Sequence, residues 1–183
     1  MKLVLMSDTH GLHEQVEVPT GDVLVHAGDF TRIGRREEVI QFNAWLGQLP
    51  HKHKIVIAGN HDLSFENSPD EVQPLLTNAT YLKDNWCGIA GIGKIYGSPW
   101  TPTFQGDPRY RWVFNADPEN MSRSLSKIPD DINVLVTHGP PDGILDRTLE
   151  GAYAGSPELR AEVFGRINPK IHVFGHIHEG YGH

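Results

Sequence analysis

The chain has 183 residues, 38% of them hydrophobic and 21% charged, with a formal net charge of -7 and one cysteine. These values exclude a disordered chain, a coiled coil, a disulfide-stapled mini-domain and a thiolate metal cluster, and no apolar run approaches the ~20 residues of a membrane helix. The acidity also argues against a nonspecific nucleic-acid binder, which relies on a basic footprint. One cytoplasmic globular domain over residues 1–183 is therefore expected.

Short apolar runs recur along the chain, each bounded by Gly, Asp or Pro, and read as strands. Leu3–Met6 runs straight into Ser7-Asp8-Thr9-His10, and Val23–His26 into Ala27-Gly28-Asp29. Glu37–Leu49 then shows helical spacing, with Val39, Phe42, Trp45, Leu46 and Leu49 on one stripe. Ile55–Ala58 leads into Gly59-Asn60-His61-Asp62, and Ser68-Pro69 with Glu71 reads as a helix start with a capping box. Gly88–Lys94 is nearly a phosphate-binding loop, but no Ser or Thr follows Lys94 and strand sequence continues through Lys94–Tyr96. A glycine-rich hairpin turn is the expectation.

Ser98–Asp117 is irregular and reads as one long ordered loop carrying Trp100, Phe104, Arg109, Tyr110, Arg111, Trp112 and Phe114. Asp117-Pro118 and Ser156-Pro157 open helices over Glu119–Ile128 and Glu158–Ile167. The last two strands, Val134–Thr137 and Ile171–Phe174, end in His138-Gly139-Pro140-Pro141 and Gly175-His176-Ile177-His178. Alternating buried strands and amphipathic helices imply an α/β layered fold.

Five strand candidates thus end in carboxylates, imidazoles or an amide. In open α/β sheets, sites form outside the carboxyl ends of strands, so residues spread along the whole chain can meet there. Eleven histidines against 16 Lys and Arg make the composition unusual. Not all belong to the site: His26 and His172 lie inside strand runs and read as core, while His51 and His53 flank Lys52 on a polar turn and read as solvated.

The ordered set Asp8-x-His10, Gly28-Asp29, Gly59-Asn60-His61-Asp62, His138 and Gly175-His176-x-His178 resembles the signature of the calcineurin-like metallophosphoesterase superfamily. Val25–Thr31, Phe42–Gly47, Tyr96–Trp100, Thr137–Pro141 and Val173–Gly182 are similar to its metallophosphoesterase-domain-containing subgroup, known from vertebrate brain. The resemblance implies a four-layer α/β/β/α sandwich with the site at the C-terminal ends of the strands. Members continue past the last motif into further strand, whereas this sequence stops at His183, so either a short member or a C-terminally truncated one is expected.

The resemblance further implies two metal ions, Mn, Fe or Zn, bridged by Asp29. Asp8, His10, Asp29 and His178 would hold the first, and Asp29, Asn60, His138 and His176 the second. The donor types suit such ions, and a metal-bridging hydroxide would attack the phosphorus. His61 would protonate the leaving oxygen, and Asp62 would either orient His61 or cap a helix. Asn60, His61, Trp100, Tyr110 and Trp112 are the expected substrate-binding residues, although a cover over the core is the favoured reading of the aromatic loop.

The expected reaction is phosphodiester hydrolysis on a small substrate, a nucleotide or cyclic nucleotide, with phosphomonoester hydrolysis or a weakly active nucleotide-binding scaffold as alternatives. No membrane association and no stable nucleic-acid complex are expected. Protein phosphatase activity is disfavoured, because Phe30-Thr31-Arg32 follows Asp29 where that branch has Asp-Arg-Gly.

Overall fold

The computed structural model describes residues 1–104 and 112–183. Its first sheet contains β1 (Leu3–Met6), β2 (Val23–Ala27), β3 (His53–Ile57) and β4 (Thr80–Tyr81), in that order and all parallel. The second sheet uses β5 (Asn85–Ile89), β6 (Gly93–Ser98), β9 (Val134–Thr137) and β10 (Ile171–Val173). They lie in the order β10-β9-β6-β5, with only the β5–β6 hairpin antiparallel. The turn between β5 and β6 is the glycine-rich segment that mimics a phosphate loop in sequence. Within the expected long loop, β7 (Thr101–Pro102) and β8 (Asn115–Ala116) form a small parallel pair, so that stretch is more regular than its sequence suggests.

Every residue of β2 is buried, as expected for a parallel strand covered on both faces. Val23, Val25 and Ala27 meet Ile55 and Ile57 of β3 on one side, and Ile95, Val134, Val136 and Val173 of the second sheet pack against them. On the outer face of the first sheet, Leu24 and Val56 meet Val39, Phe42, Trp45 and Leu46 of α1 (Arg36–Gln48). Two short helices, α2 (Ser64–Asn67) and α3 (Pro69–Val72), follow β3. Beyond the second sheet, Tyr96 and Leu135 pack on Met121 and Leu125 of α4 (Pro118–Leu125) and Leu159 of α5 (Pro157–Glu162). The layers are therefore α/β/β/α, as the resemblance implies.

All three helix starts fall where the sequence puts them, and two of the three carry a side-chain cap. Asp117 accepts the Asn120 N–H and Ser156 the Leu159 N–H, satisfying donors that the first turn leaves open. Ser68 makes no side-chain cap, because the chain kinks between two four-residue helices. His51 also departs from expectation: it is buried, and its Nε2 donates to the Pro19 carbonyl, 3.0 Å away. No helix among the described residues is long and apolar enough to cross a membrane.

His26 sits fully buried on the α1 side of β2, its Nε2 3.0 Å from Thr9 Oγ1 and its ring against Phe30 and Phe42. Burial pushes its pKa down to about 3. The unfolded chain therefore takes up this proton first, and stability falls as pH drops from about 6.5 toward 3, by about 1.4 kcal/mol per pH unit. Urea unfolding across this range should show a slope that His26→Gln reduces by up to about that amount, while lowering stability at neutral pH. An unchanged slope in the variant would remove His26 from the account.

Candidate metal centre

The site forms where the C-terminal ends of both sheets meet. Asp8 and His10 follow β1, Asp29 follows β2, Asn60 and His61 follow β3, His138 follows β9, and His176 and His178 follow β10. Backbone hydrogen bonds zip these loops together beyond the strands. Asp8, His10 and Gly11 donate to the carbonyls of Gly28, Asp29 and Phe30, while Gly175 donates to that of His138. Asp8, His10, Asp29 and His176 all adopt positive φ, between 44° and 71°. Such left-handed turns are costly for non-glycine residues and collect at functional sites, where surrounding contacts hold them.

Two glycines leave the room that these side chains occupy. A Cβ on Gly59 would stand 2.6 Å from His138 Nε2, and one on Gly175 would stand 2.7 Å from Ser7 Cβ and run into the Asp8 carboxylate. The close approach of backbone to ligand atoms accounts for glycine at both positions.

The donor atoms fall into overlapping groups, each within 4.8 Å: Asp8, His10 and His178; His10, Asp29 and His61; Asp29, His138 and His176. Asp29 Oδ2 lies 3.8 Å from His10 Nε2 and 3.3 Å from His138 Nε2, between the first and last groups. The His138 Nδ1–H donates to the Ala27 carbonyl at 2.8 Å, which aims Nε2 at Asn60 Oδ1, 2.9 Å away, and at Asp29. His10 Nε2 and His178 Nε2 approach to 3.2 Å, and His178 Nε2 lies 3.5 Å from Asp8 Oδ1.

This arrangement is rich in lone pairs and short of positive charge. Burial alone would lower the pKa of His138, yet Asp29 beside it lifts it to about 9. Burial and the neighbouring His138 push His176 down to about 4. Burial acts to raise the Asp8 carboxyl, but His178, His138, Ser7 and the His176 N–H together hold it well below the carboxylate range. In the absence of other cations a proton on His138 serves as the local counter-charge. The oxygen and imidazole donors fit divalent metal ions in its place.

The residues beside the ligand cluster depart from expectation in several ways. His61 Nδ1–H donates to the Arg32 carbonyl at 2.8 Å, not to Asp62, so Asp62 is not the residue that orients it. Asp62 is fully buried and instead accepts four hydrogen bonds, from the N–H groups of Asp29, Gly59 and Thr31 and from the Thr31 hydroxyl. It is a positioning residue beneath the loops that carry Asp29 and Asn60. Trp100 points away as well: its Nε1–H donates to Asp84 at 2.8 Å, and it packs on the core beside Phe114. That favours the core-cover reading for this residue. Tyr110 lies outside the described residues.

Trp112 does reach the site, its ring 4.0 Å from that of His61. The cavity over the cluster holds about 330 Å³ and is lined by Asp29, Asn60, His61, Phe104, Trp112, His176, His178 and Glu179. Phe104 stands edge-on to His176, with ring centroids 5.3 Å apart. Sequence reasoning did not assign Phe104 or Glu179 to the site. The only signals were an aromatic loop and the position after His178, neither of which separates a cavity wall from a surface residue.

The family model described as calcineurin-like phosphoesterase matches residues 1–180. Metallophosphoesterase domain-containing protein 1 of Homo sapiens is 42% identical over 206 aligned positions, covering 99% of this chain and 61% of that protein. UPF0046 protein C25E10.12 of Caenorhabditis elegans is 42% identical, covering 100% of this chain and 70% of its own length. The chain thus spans about three-fifths of the length of the human relative. The crystal structure of TT1561 of Thermus thermophilus aligns with a TM-score of 0.67 at 14% identity, over 94% of this chain and 80% of that one, a likeness of fold alone.

Proposed function

The chain belongs to the calcineurin-like phosphoesterase family, and from that premise we propose that it hydrolyses small phosphodiesters, nucleotides or cyclic nucleotides among them. The observation that carries this reading is Asp29: one carboxylate oxygen lies between the imidazoles of His10 and His138, while the other accepts the His61 N–H at 2.8 Å. A single acid thereby serves two neighbouring donor groups. Asp8, His10, Asp29 and His178 would hold one ion, and Asp29, Asn60, His138 and His176 the other. Such cations supply Lewis-acid charge for the phosphoryl oxygens and a water acidified to near neutrality.

The chain's own residues orient the substrate and handle the leaving-group proton. The Arg32 carbonyl takes the Nδ1 proton of His61, leaving Nε2 for the substrate, and the Trp112 ring limits rotation of the imidazole. In its protonated form His61 donates Nε2–H to the departing oxygen. Trp112 and Phe104 give the cavity two flat apolar walls suited to a nucleobase or aryl group, and base stacking is worth about 1–3 kcal/mol. The cavity volume and the acidic chain favour a small molecule over a polymer.

The test is hydrolysis by metal-reconstituted protein across bis-p-nitrophenyl phosphate, p-nitrophenyl phosphate and cyclic nucleotides. Faster turnover of diesters is expected, and turnover of the monoester alone would overturn the diesterase reading. His61→Gln should keep its metals and lose about 10²–10⁴-fold on a diester with an alkoxide leaving group, but less on p-nitrophenolate esters, which need little protonation. Equal losses on both would assign His61 an electrostatic role instead.

A further inference from the structure

The charges around the cavity are asymmetric among the described residues. Among its described lining residues no Lys or Arg appears, and the sole carboxylate besides Asp29 is Glu179. Glu179 is the second residue of the 3-10 turn His178–Gly180, so it directly follows a proposed metal ligand. Its Oε1 accepts the Leu149 N–H at 3.1 Å, which ties the carboxylate to the neighbouring loop and holds it at the rim. The other walls, Phe104 and Trp112, carry no formal charge. Anionic charge near the donor cluster is met by whatever cations the cluster holds, whereas a further negative charge toward the rim meets Glu179.

We propose that Glu179 is a specificity-determining residue that biases the cavity toward singly charged phosphoesters and against ligands with a second negative charge, such as dianionic monoesters and nucleoside polyphosphates. The proposal rests on the phosphoesterase reading above and deepens it by naming the charge class of the substrate. The mechanism is simple repulsion: a diester carries one negative charge and a terminal phosphate up to two, and each feels the fixed carboxylate in proportion to its own charge. Glu179 is exposed, so at roughly 6–8 Å and a dielectric close to that of water one unit of charge alters affinity about 2- to 3-fold, and two units about 5- to 10-fold.

The test uses equilibrium binding, followed by tryptophan fluorescence, of two non-hydrolysable ligands to the metal-loaded chain in mildly alkaline buffer. Phenylphosphonate is the dianion, and its monomethyl ester is the matched monoanion. Glu179→Gln should tighten the dianion about 5- to 10-fold and the monoanion no more than about 2- to 3-fold, with the gap shrinking at high salt. Glu179→Asp keeps the charge while shortening the reach to Leu149, and should leave the preference near that of the parent protein. Equal tightening of both ligands, or the same shift in Glu179→Asp as in Glu179→Gln, overturns the charge role and leaves Glu179 as an anchor for the loop. Failure of the parent protein to bind either ligand sinks the underlying phosphoesterase reading instead, so the two failures are distinguishable.

Discussion

Asp29→Ala will strip the site of both ions and lower kcat/KM by at least about 10³-fold, a loss of roughly 4 kcal/mol of transition-state stabilisation. The reason is charge. Without Asp29 the second group keeps only Asn60, His138 and His176, an amide and two imidazoles with no anion among them. The first group keeps Asp8 as its one carboxylate beside His10 and His178. The second ion should therefore leave first on dialysis, and the first should follow. Asn60→Ala, by contrast, removes a neutral donor from one group and should weaken only the second ion. Elemental analysis after dialysis decides the matter: one ion held tightly by Asp29→Ala would mean that the carboxylate does not serve both groups.

Asp62→Asn will destabilise the fold by roughly 2–5 kcal/mol and weaken metal binding, although Asp62 touches no metal donor through its own carboxylate. Its Oδ2 accepts the N–H groups of Asp29 and Gly59, at 2.9 and 2.8 Å, and its Oδ1 accepts the Thr31 N–H and hydroxyl, at 2.9 and 2.6 Å. An amide group placed in either orientation turns an NH₂ toward two donors and leaves them buried and unpaired. Burial and nearby Asp29 push the Asp62 carboxyl up to about 7, but four donors surround it, so the ionised form is the one this packing accommodates. Thermal melts of the metal-free variant and its metal content check the expectation together. A stable, fully loaded protein with reduced turnover alone would instead restore Asp62 to a role in proton transfer.

The polar donor side chains that gather at the site lie in local patterns that the sequence displays. A short buried strand followed by Gly-Asp, Gly-Asn-His-Asp or Gly-His-x-His places its polar residues at the sheet's carboxyl edge wherever the strand pairs. The α/β layers and the Asp117 and Ser156 caps were legible for the same reason, as apolar period and capping chemistry act within one turn or strand. Strands β4, β7 and β8 were not legible, since two residues carry no period, and β5 presents mostly exposed or half-buried positions.

The partner that each polar group takes depends instead on contacts far apart in the chain. Asp62 and Thr31 are separated by 31 residues, His61 and Arg32 by 29, and Trp100 and Asp84 by 16. Nothing local distinguishes an Asp62 that orients the adjacent imidazole from one that accepts distant backbone amides. A hydrogen bond goes to whichever donor the folded loops bring within about 3 Å, and that is settled by how the two sheets stack. The same stacking turned Trp100 into the core and Trp112 onto His61, and set Phe104 and Glu179 on the cavity wall.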